Sequence, residues 1–181
     1  MASESFALSL TSDRLHIREL RITDSAFIVR LLREASFIQN IGDKGVRSLE
    51  DATNYINEAG LQNYANYGFG MFLVELTGVS TPIGICGLLK RDFLPHPDFG
   101  FAFVETEHGK GYGTEAAKTI VAWAQRRLSV KRLSAFTSTS NTASIHVLTK
   151  NGFRSLGEQV LAGRTEPTHV LEWSTDAFVA D

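Results

Sequence analysis

The chain has 181 residues, 43% of them hydrophobic, and a formal net charge of -2. That length is enough for one sizeable hydrophobic core, so we expect a single domain spanning residues 1–181. Acidic and basic residues are interspersed, which excludes the basic surface typical of a nucleic-acid-binding protein. The N-terminus lacks a signal-peptide pattern and no segment approaches the ~20 apolar residues of a membrane span, so we expect a cytoplasmic protein without membrane attachment.

The first elements of the chain are predicted to be a strand and a helix. Residues 10–20 mix apolar and charged side chains, which predicts a strand with one solvent-facing side at the edge of a sheet. A helix with one apolar face follows, with Thr23 or Asp24 as its cap. Residues 36–48 contain two glycines among scattered apolar residues, which indicates either a loop bordering a binding site or an ordinary connector.

A second helix is predicted to begin at Ser48. The sequence SLED places a hydroxyl at the cap and an acid three residues later, which is the pattern of a capping box, and the helix is expected to run to about Tyr64. Residues 69–76 and 82–89 are short apolar runs around the turn-rich sequence TGVST and predict an antiparallel hairpin. The only cysteine, Cys86, has apolar neighbours and is expected to be buried, in a reducing compartment, rather than to act as a nucleophile.

The next strand, residues 98–103 (DFGFAF), separates large side chains from small ones. Side chains alternate along a strand, so the three phenylalanines share one face, and Asp98, Gly100 and Ala102 share the other. The phenylalanine face is expected to pack against a layer of helices. The nearly bare face leaves two explanations open, because either a helix backbone or a ligand could approach it closely.

Residues 108–116 (HGKGYGTEA) carry three glycines just before a helical pattern that ends at Leu128. A glycine-rich turn that opens a helix presents unpaired backbone N–H groups and the positive end of the helix dipole, which suits a phosphate or pyrophosphate. The spacing matches neither the GxGxxG of dinucleotide-binding proteins nor the GxxxxGK, followed by Ser or Thr, of a P-loop. An anion site for part of a cofactor and a plain tight connection therefore both remain open.

The last third of the chain predicts a strand, a helix and a hairpin. Residues 131–138 alternate as a strand, and residues 141–153 (NTASIHVLTKNGF) predict a helix capped by Asn141. Asn151 and Gly152 are a typical helix stop, after which Phe153 is positioned to pack back. Residues 153–161 and 169–173 predict a hairpin that closes the sheet.

Three of these segments, in this order, resemble the GNAT superfamily of acyl-CoA-dependent N-acyltransferases. They are DFGFAF, HGKGYGTEA and NTASIHVLTKNGF, and the resemblance extends over residues 11–173. The chain is most similar to the ribosomal-protein-alanine N-acetyltransferase branch. This resemblance implies an α/β fold of the α+β type, with a mixed, mostly antiparallel twisted sheet of about seven strands flanked by about four helices.

The resemblance implies that acetyl-CoA is the acyl donor and that no metal is needed. In such proteins the backbone amides of the glycine turn hold the pyrophosphate, with Gly111 and Gly113 at the defining positions, although His108 stands where the family usually has Gln, Arg or Trp. The implied cofactor-binding residues are Phe103, Val104, His108, Gly109, Lys110, Gly111, Tyr112, Gly113, Thr114 and Asn141.

The resemblance also implies two catalytic residues. Ser144 corresponds to the serine proposed as the acid for the departing thiolate, and Asp98 falls where the branch commonly has a glutamate that accepts the proton of the amine. Since Asp98 is one methylene shorter, a base role could need a bridging water, and His96, Glu105 and Glu107 remain rivals.

The expected function is transfer of an acetyl group from acetyl-CoA to a primary amine, either a protein N-terminus or a small molecule. The alternatives are a non-catalytic acyl-CoA-binding regulatory module of the same fold and an unrelated phosphate-binding domain. Residues 37–48 and 161–168 are expected to set the acceptor, and their mixed chemistry does not favour a polycation. The acceptor, the use of other acyl-CoAs and the oligomeric state stay open, with a homodimer allowed.

Overall fold

The computed structural model describes residues 8–176, whose strands form one eight-stranded sheet. The strands run in the spatial order β1-β2-β3-β4-β5-β6-β8-β7, with β5 and β6 parallel and the other neighbours antiparallel. They are β1 Ser9–Thr11, β2 Leu15–Glu19, β3 Met71–Leu76, β4 Thr81–Leu89, β5 Asp98–Phe103, β6 Arg132–Ser138, β7 Arg154–Gln159 and β8 Thr168–Ser174. The mixed, mostly antiparallel sheet is as predicted.

Six α-helices cover the sheet in the described part of the chain. They are α1 Ser25–Leu32, α2 Ala35–Asn40, α3 Leu49–Ile56, α4 Gln62–Tyr67, α5 Tyr112–Arg127 and α6 Thr142–Lys150. The second predicted helix is confirmed with its capping box, because Asp51 N–H donates to Ser48 Oγ at 3.1 Å and Ser48 N–H donates to Asp51 Oδ2 at 2.9 Å. A π-helical turn, Asn57–Leu61, joins α3 to α4. None of the helices within residues 8–176 is long and apolar enough to cross a membrane.

The prediction of one edge strand over residues 10–20 is wrong. The chain turns after β1, where Ser12 N–H donates to the carbonyl of Leu15 at 2.9 Å, and returns as β2. β2 lies inside the sheet because it pairs with both β1 and β3. Its charged residues had suggested an edge, but Arg18 is satisfied there by Asp24 at 2.9 Å and by Glu75 at 2.8 Å. A paired arginine can therefore occupy an interior strand.

The prediction of a loop over residues 36–48 is wrong in its first part, where α2 forms. The start of this short helix is held by a distant residue, since Ser36 N–H donates to Glu105 Oε1 at 2.9 Å. Glu105 N–H in turn donates to Glu34 Oε2 at 2.8 Å. These two bonds fix α2 against the end of β5, so the helix start depends on a contact between residues 69 apart in sequence.

Apolar clusters lie on both faces of the sheet. On one face α5 and α6 pack over a cluster that includes Phe72 and Val74, and on the other α1 and α3 cover a cluster that includes Met71 and Leu73. These four residues alternate along β3, so β3 reads as a continuous apolar run because both of its faces are covered. Cys86 is fully buried in the first cluster, as predicted.

The two halves of the sheet meet at β5 and β6 and then separate. β4 and β5 pair over six positions, whereas β5 and β6, both fully described, pair at one position, Asp98 with Ser134. This pair lies near the start of both strands. Because the strands run in the same direction, they part towards Phe103 and Ser138 and leave an opening in the middle of the sheet.

Candidate active site

A cavity of about 890 Å³ follows the opening between β5 and β6. All six residues of β5 line it, including the residues of both its faces, and Phe136, Thr137 and Ser138 line it from β6. A cavity in contact with both faces of a strand must run along the strand edge. The site is therefore a channel between two strands that would otherwise be neighbours in a continuous sheet.

The edge of β5 presents backbone groups to this channel. Ser134 N–H donates to the carbonyl of Pro97 at 2.9 Å, so the polar groups of Pro97 point towards β6. Backbone groups alternate in direction along a strand, so those of Phe99, Phe101 and Phe103 point the same way. The Phe103 carbonyl is bonded to His108 Nε2 at 2.8 Å, which agrees with this direction. Phe101, in the middle of the strand, therefore offers its N–H and C=O to a ligand in the channel.

The glycine turn lies at the wide end of the channel. Gly109 and Gly111 have φ angles of +75° and +84°, a region in which other residues are strained. Gly111 is the N-cap of α5 and has no side chain to satisfy the first-turn N–H groups. A Cβ added at Gly109 would meet nothing within 4 Å. The turn is therefore an open cradle at the positive end of a 16-residue helix, which fits a bound phosphate or pyrophosphate.

An ion pair that sequence reasoning missed supports this turn. Glu115, in the first turn of α5, accepts hydrogen bonds from Arg14 Nε and from Ser12 Oγ, both at 2.7 Å. Arg14 Nη1 also donates to the Lys110 carbonyl at 3.0 Å, and its guanidinium lies 4.6 Å from the centre of the Tyr112 ring. The turn is thus tied to the β1–β2 connection, about 100 residues earlier in the chain.

Asp98 lies at the narrow end of the channel and is buried, with 4% of its surface exposed. Arg91 Nε donates to Asp98 Oδ2 at 2.6 Å. Burial raises the pKa of Asp98 from 3.8 to about 6, although Arg91, Arg164 and Lys44 act in the opposite direction. At neutral pH Asp98 is therefore mostly ionised, yet its pKa lies close enough to 7 for it to exchange a proton with a ligand.

The start of α6 lines the same channel from the β6 side. Asn141 caps the helix as predicted, since Ser144 N–H donates to Asn141 Oδ1 at 3.1 Å. Asn141 and Ser144 both line the cavity. The capping bond uses the backbone of Ser144, so the Ser144 hydroxyl is not required for it.

Most of the predicted site residues come together around the channel. Those that line it are Asp98, Phe103, His108, Gly109, Gly111, Tyr112, Gly113, Thr114, Asn141 and Ser144. Val104 is instead buried in the apolar cluster under α1 and α3, and the Lys110 ammonium pairs with Glu107 Oε2 at 3.0 Å. Of the rival bases, Glu107 lines the channel, Glu105 bonds to α2, and His96 lies 3.7 Å from Glu172.

A group of cations near Asp98 is not predictable from the sequence. Lys44, Arg91 and Arg164 line the narrow end of the channel and come from three different connections. Lys44 and Arg164 lie in the two segments that the sequence assigned to the acceptor, but nothing in their spacing indicated a cluster. They come together only in the folded chain, where all three line one cavity. Among residues 8–176 no group of His, Cys, Asp and Glu side chains is arranged to hold a metal ion.

The mixed sheet, opened at its parallel junction with a glycine turn at the wide end, defines a GNAT-type acetyltransferase fold. Residues 14–154 match the family described as the acetyltransferase (GNAT) domain, and the chain belongs to that family. Its relatives include the uncharacterized N-acetyltransferase YnaD of Bacillus subtilis, strain 168, which is 27% identical over 151 residues. That match covers 83% of this chain and 85% of YnaD.

Solved structures share the fold at lower identity. An acetyltransferase from Agrobacterium tumefaciens strain C58 is 23% identical and superposes with a TM-score of 0.77, covering 96% of this chain and 98% of its own. The RimL ribosomal alpha-N-protein acetyltransferase, solved in complex with coenzyme A, is 16% identical with a TM-score of 0.80, covering 92% and 98%. At these identities the likeness concerns the fold.

Proposed function

We propose that this protein transfers the acetyl group of acetyl-CoA directly to a primary amine. The observation that carries the proposal is the channel between β5 and β6, which joins an anion cradle at the glycine turn to a buried carboxylate at Asp98. A long, phosphate-bearing thioester suits such a channel, because one end requires an anion site and the other requires a group that handles protons. Membership of the acetyltransferase family supports the same reaction.

The donor would be held along its length by groups already described. The amides of the turn, from His108 to Thr114, would bind the pyrophosphate. The polar edge of β5 at Phe101 would pair with the pantetheine arm as a neighbouring strand does. Acetyl-CoA would supply an activated thioester carbonyl, and the Phe101 N–H is a candidate donor to the oxygen of that carbonyl.

Asp98 would act as the general base. An amine enters in its protonated form at neutral pH and must lose a proton before its nitrogen can attack a carbonyl. An ionised Asp98 with a pKa of about 6 takes that proton directly or through a water. Arg91 holds the carboxylate in place through the bond to Oδ2, so Arg91 is a positioning residue.

The reaction balances without a covalent enzyme intermediate. The C–N bond forms and the C–S bond breaks. The ammonium nitrogen loses two protons: the first leaves through Asp98 before the attack, and the second leaves the tetrahedral adduct and balances the proton that the thiolate takes up, which gives an amide, free CoA and one proton. Ser144 would donate a hydrogen bond or a proton to the departing thiolate and regain a proton from solvent. Cys86 takes no part, since it is buried and burial raises the pKa of its thiol.

The proposal is tested by two measurements on the full chain. Calorimetry should show saturable binding of acetyl-CoA and weaker or no binding of ATP. Release of free CoA should then be detected with a panel of amino acids, small amines and N-terminal peptides. Acetyl-CoA binding without turnover of any of these acceptors would instead support a non-catalytic acyl-CoA-binding module, and equal binding of ATP would argue against an acyl-CoA site.

A further inference from the structure

Three cations converge at the narrow end of the channel, beside the proposed base Asp98. Lys44 lies between α2 and α3, Arg91 between β4 and β5, and Arg164 between β7 and β8, and each lines the cavity. Asp98 is the carboxylate among them, paired with Arg91 at 2.6 Å. Even with Asp98 ionised, this end of the channel keeps an excess of positive charge.

The three cations are close enough to influence one another. The Lys44 side chain is exposed but partly shielded from water by the surrounding protein, which lowers its pKa, and Arg91 and Arg164 lower the pKa further. Arg91 and Arg164 also share one aromatic partner, because their guanidinium carbons lie 5.4 and 4.7 Å from the centre of the Phe136 ring. Two like charges held on one ring repel each other, and a bound anion would relieve that repulsion.

The aromatic contacts leave hydrogen-bonding capacity for such an anion. Stacking on a ring satisfies the flat face of a guanidinium but none of its five N–H donors. Arg91 uses only its Nε–H in the hydrogen bond to Asp98. The remaining donors of the two arginines and the Lys44 ammonium form the type of site that binds carboxylates and phosphates.

The pyrophosphate of the donor cannot supply this anion. Asp98 begins β5, Phe103 ends it, and the glycine turn follows Phe103. At about 3.3 Å per residue, the five steps of β5 separate the two ends by about 16 Å. An anion held at the turn therefore lies well away from the cation cluster and cannot pair with it.

Building on the proposed acetyl transfer, we infer that the acceptor is a small amine with a carboxylate or phosphate within a few bonds of its nitrogen, held by Lys44, Arg91 and Arg164. The short distance follows from Arg91, which contacts Asp98 directly and so places an anion on its other donors beside the amine. A polyamine is disfavoured, because its additional cations would face the cluster without a partner.

The test compares matched acceptors with the full-length protein. Release of CoA is measured for 3-aminopropanoate against 3-aminopropanamide, and for 2-aminoethyl phosphate against 2-aminoethanol, with 1,3-diaminopropane as the cationic control. We expect the anionic member of at least one pair to have the higher kcat/KM, and the pair that responds distinguishes a carboxylate from a phosphate. Equal turnover within both pairs, or preference for the diamine, would overturn the inference while leaving acetyl transfer intact.

Two variants connect the preference to the cluster. Arg164→Gln and Lys44→Gln alter exposed side chains, so both are expected to fold. Each should raise KM for the preferred anionic amine about tenfold, as expected for one lost charged hydrogen bond, and leave the uncharged partner unchanged. Arg126→Gln, which removes a charge from the last turn of α5 outside the cavity, is the control. An unchanged preference in both test variants would contradict the assignment.

A binding measurement covers the case in which no amine is acetylated. The same amines are titrated into the protein saturated with CoA, and binding of the anionic members should weaken in Arg164→Gln and Lys44→Gln. That result, without turnover of any acceptor in the panel of amino acids, small amines and N-terminal peptides, would support the anion site and overturn the proposed acetyl transfer. Equal affinity for the anionic and the uncharged amines would contradict the anion site. If only peptides with an acidic N-terminal residue are acetylated, the inference of a small acceptor is wrong and the acceptor is a protein N-terminus.

Discussion

Arg91 Nε donates a 2.6 Å hydrogen bond to Asp98 Oδ2 at the position where β5 and β6 part. The contact joins the proposed base to a cation that can also touch the acceptor. Burial pushes the pKa of Asp98 upwards and Arg91 pulls it back, so the value of about 6 is a balance between the two. The balance yields a carboxylate that is charged at neutral pH and still accepts a proton.

This balance predicts the acidic side of the pH profile. Protonated Asp98 cannot act as a base, so kcat/KM should fall about tenfold per pH unit below pH 6 and level off above it. Removing Arg91 removes an influence that lowers the pKa, so Arg91→Gln should move the acidic limb to higher pH for the same amine. Asp98→Asn should lose about 10² to 10⁴ in rate and lose the limb itself. If the acidic limb of the pH profile is unchanged in Asp98→Asn, a group other than Asp98 is the base.

The glycine turn can be tested with a matched pair of substitutions. Gly109 and Gly78 have φ angles of +75° and +85°, and a Cβ at either would meet nothing within 4 Å. Alanine at each position should therefore cost about 1 to 2 kcal/mol of stability through backbone strain alone. Only Gly109 lines the channel, so only Gly109→Ala should weaken acetyl-CoA binding in calorimetry. Equal affinity for acetyl-CoA in the two variants would show that the pyrophosphate does not bind at this turn.

Ser144 and Asn141 should separate catalysis from stability. Asn141 caps α6 through its side chain, so Asn141→Ala should lower the free energy of unfolding by about 1 kcal/mol. Ser144 contributes its backbone to that bond, so Ser144→Ala should keep the thermal midpoint of the wild type. If its hydroxyl assists the thiolate, Ser144→Ala should lower kcat up to about 10²-fold with little change in KM. An unchanged kcat in Ser144→Ala would indicate that water, and not Ser144, protonates the departing thiolate.

Cys86 offers a direct test of the mechanism without a covalent intermediate. Its side chain is fully buried and burial raises its pKa, so iodoacetamide should not modify the folded protein but should modify it in urea. Cys86→Ala should retain acetyl transfer, with a loss of stability of roughly 1 kcal/mol from the smaller side chain. A folded Cys86→Ala protein without activity would contradict this mechanism.

Local features of the fold were predictable, and contacts between distant residues were not. Ser48 and Asn141 cap helices through residues three positions away, so the pattern is visible in a short window of sequence. The start of α2 depends on Glu105, far along the chain, so a short window of sequence predicts a loop there. The charges of β2 predict an edge strand, whereas its interior position depends on the pairing of Arg18 with Asp24 and Glu75.

The candidate site divides in the same way. The glycine turn and the alternation along β5 can be read in single segments, and the order of three such segments led to the family. The cation cluster joins Lys44, Arg91 and Arg164 from connections that carry no repeated pattern. The cluster forms because the β7–β8 connection, which enters β8 beside Ser138, carries Arg164 into the same cavity as Asp98.

The opening between β5 and β6 leaves the facing edges of these two strands unpaired along most of their length. The two halves of the sheet share one backbone pair at the opening and otherwise depend on the packing of α5 and α6. A donor seated along β5 would act as a missing strand, so the folded chain and its donor should stabilise each other. At 100 times its dissociation constant such a ligand adds about 2.7 kcal/mol. The resistance of this protein to heat and proteolysis would then rise with the concentration of acyl donor around it.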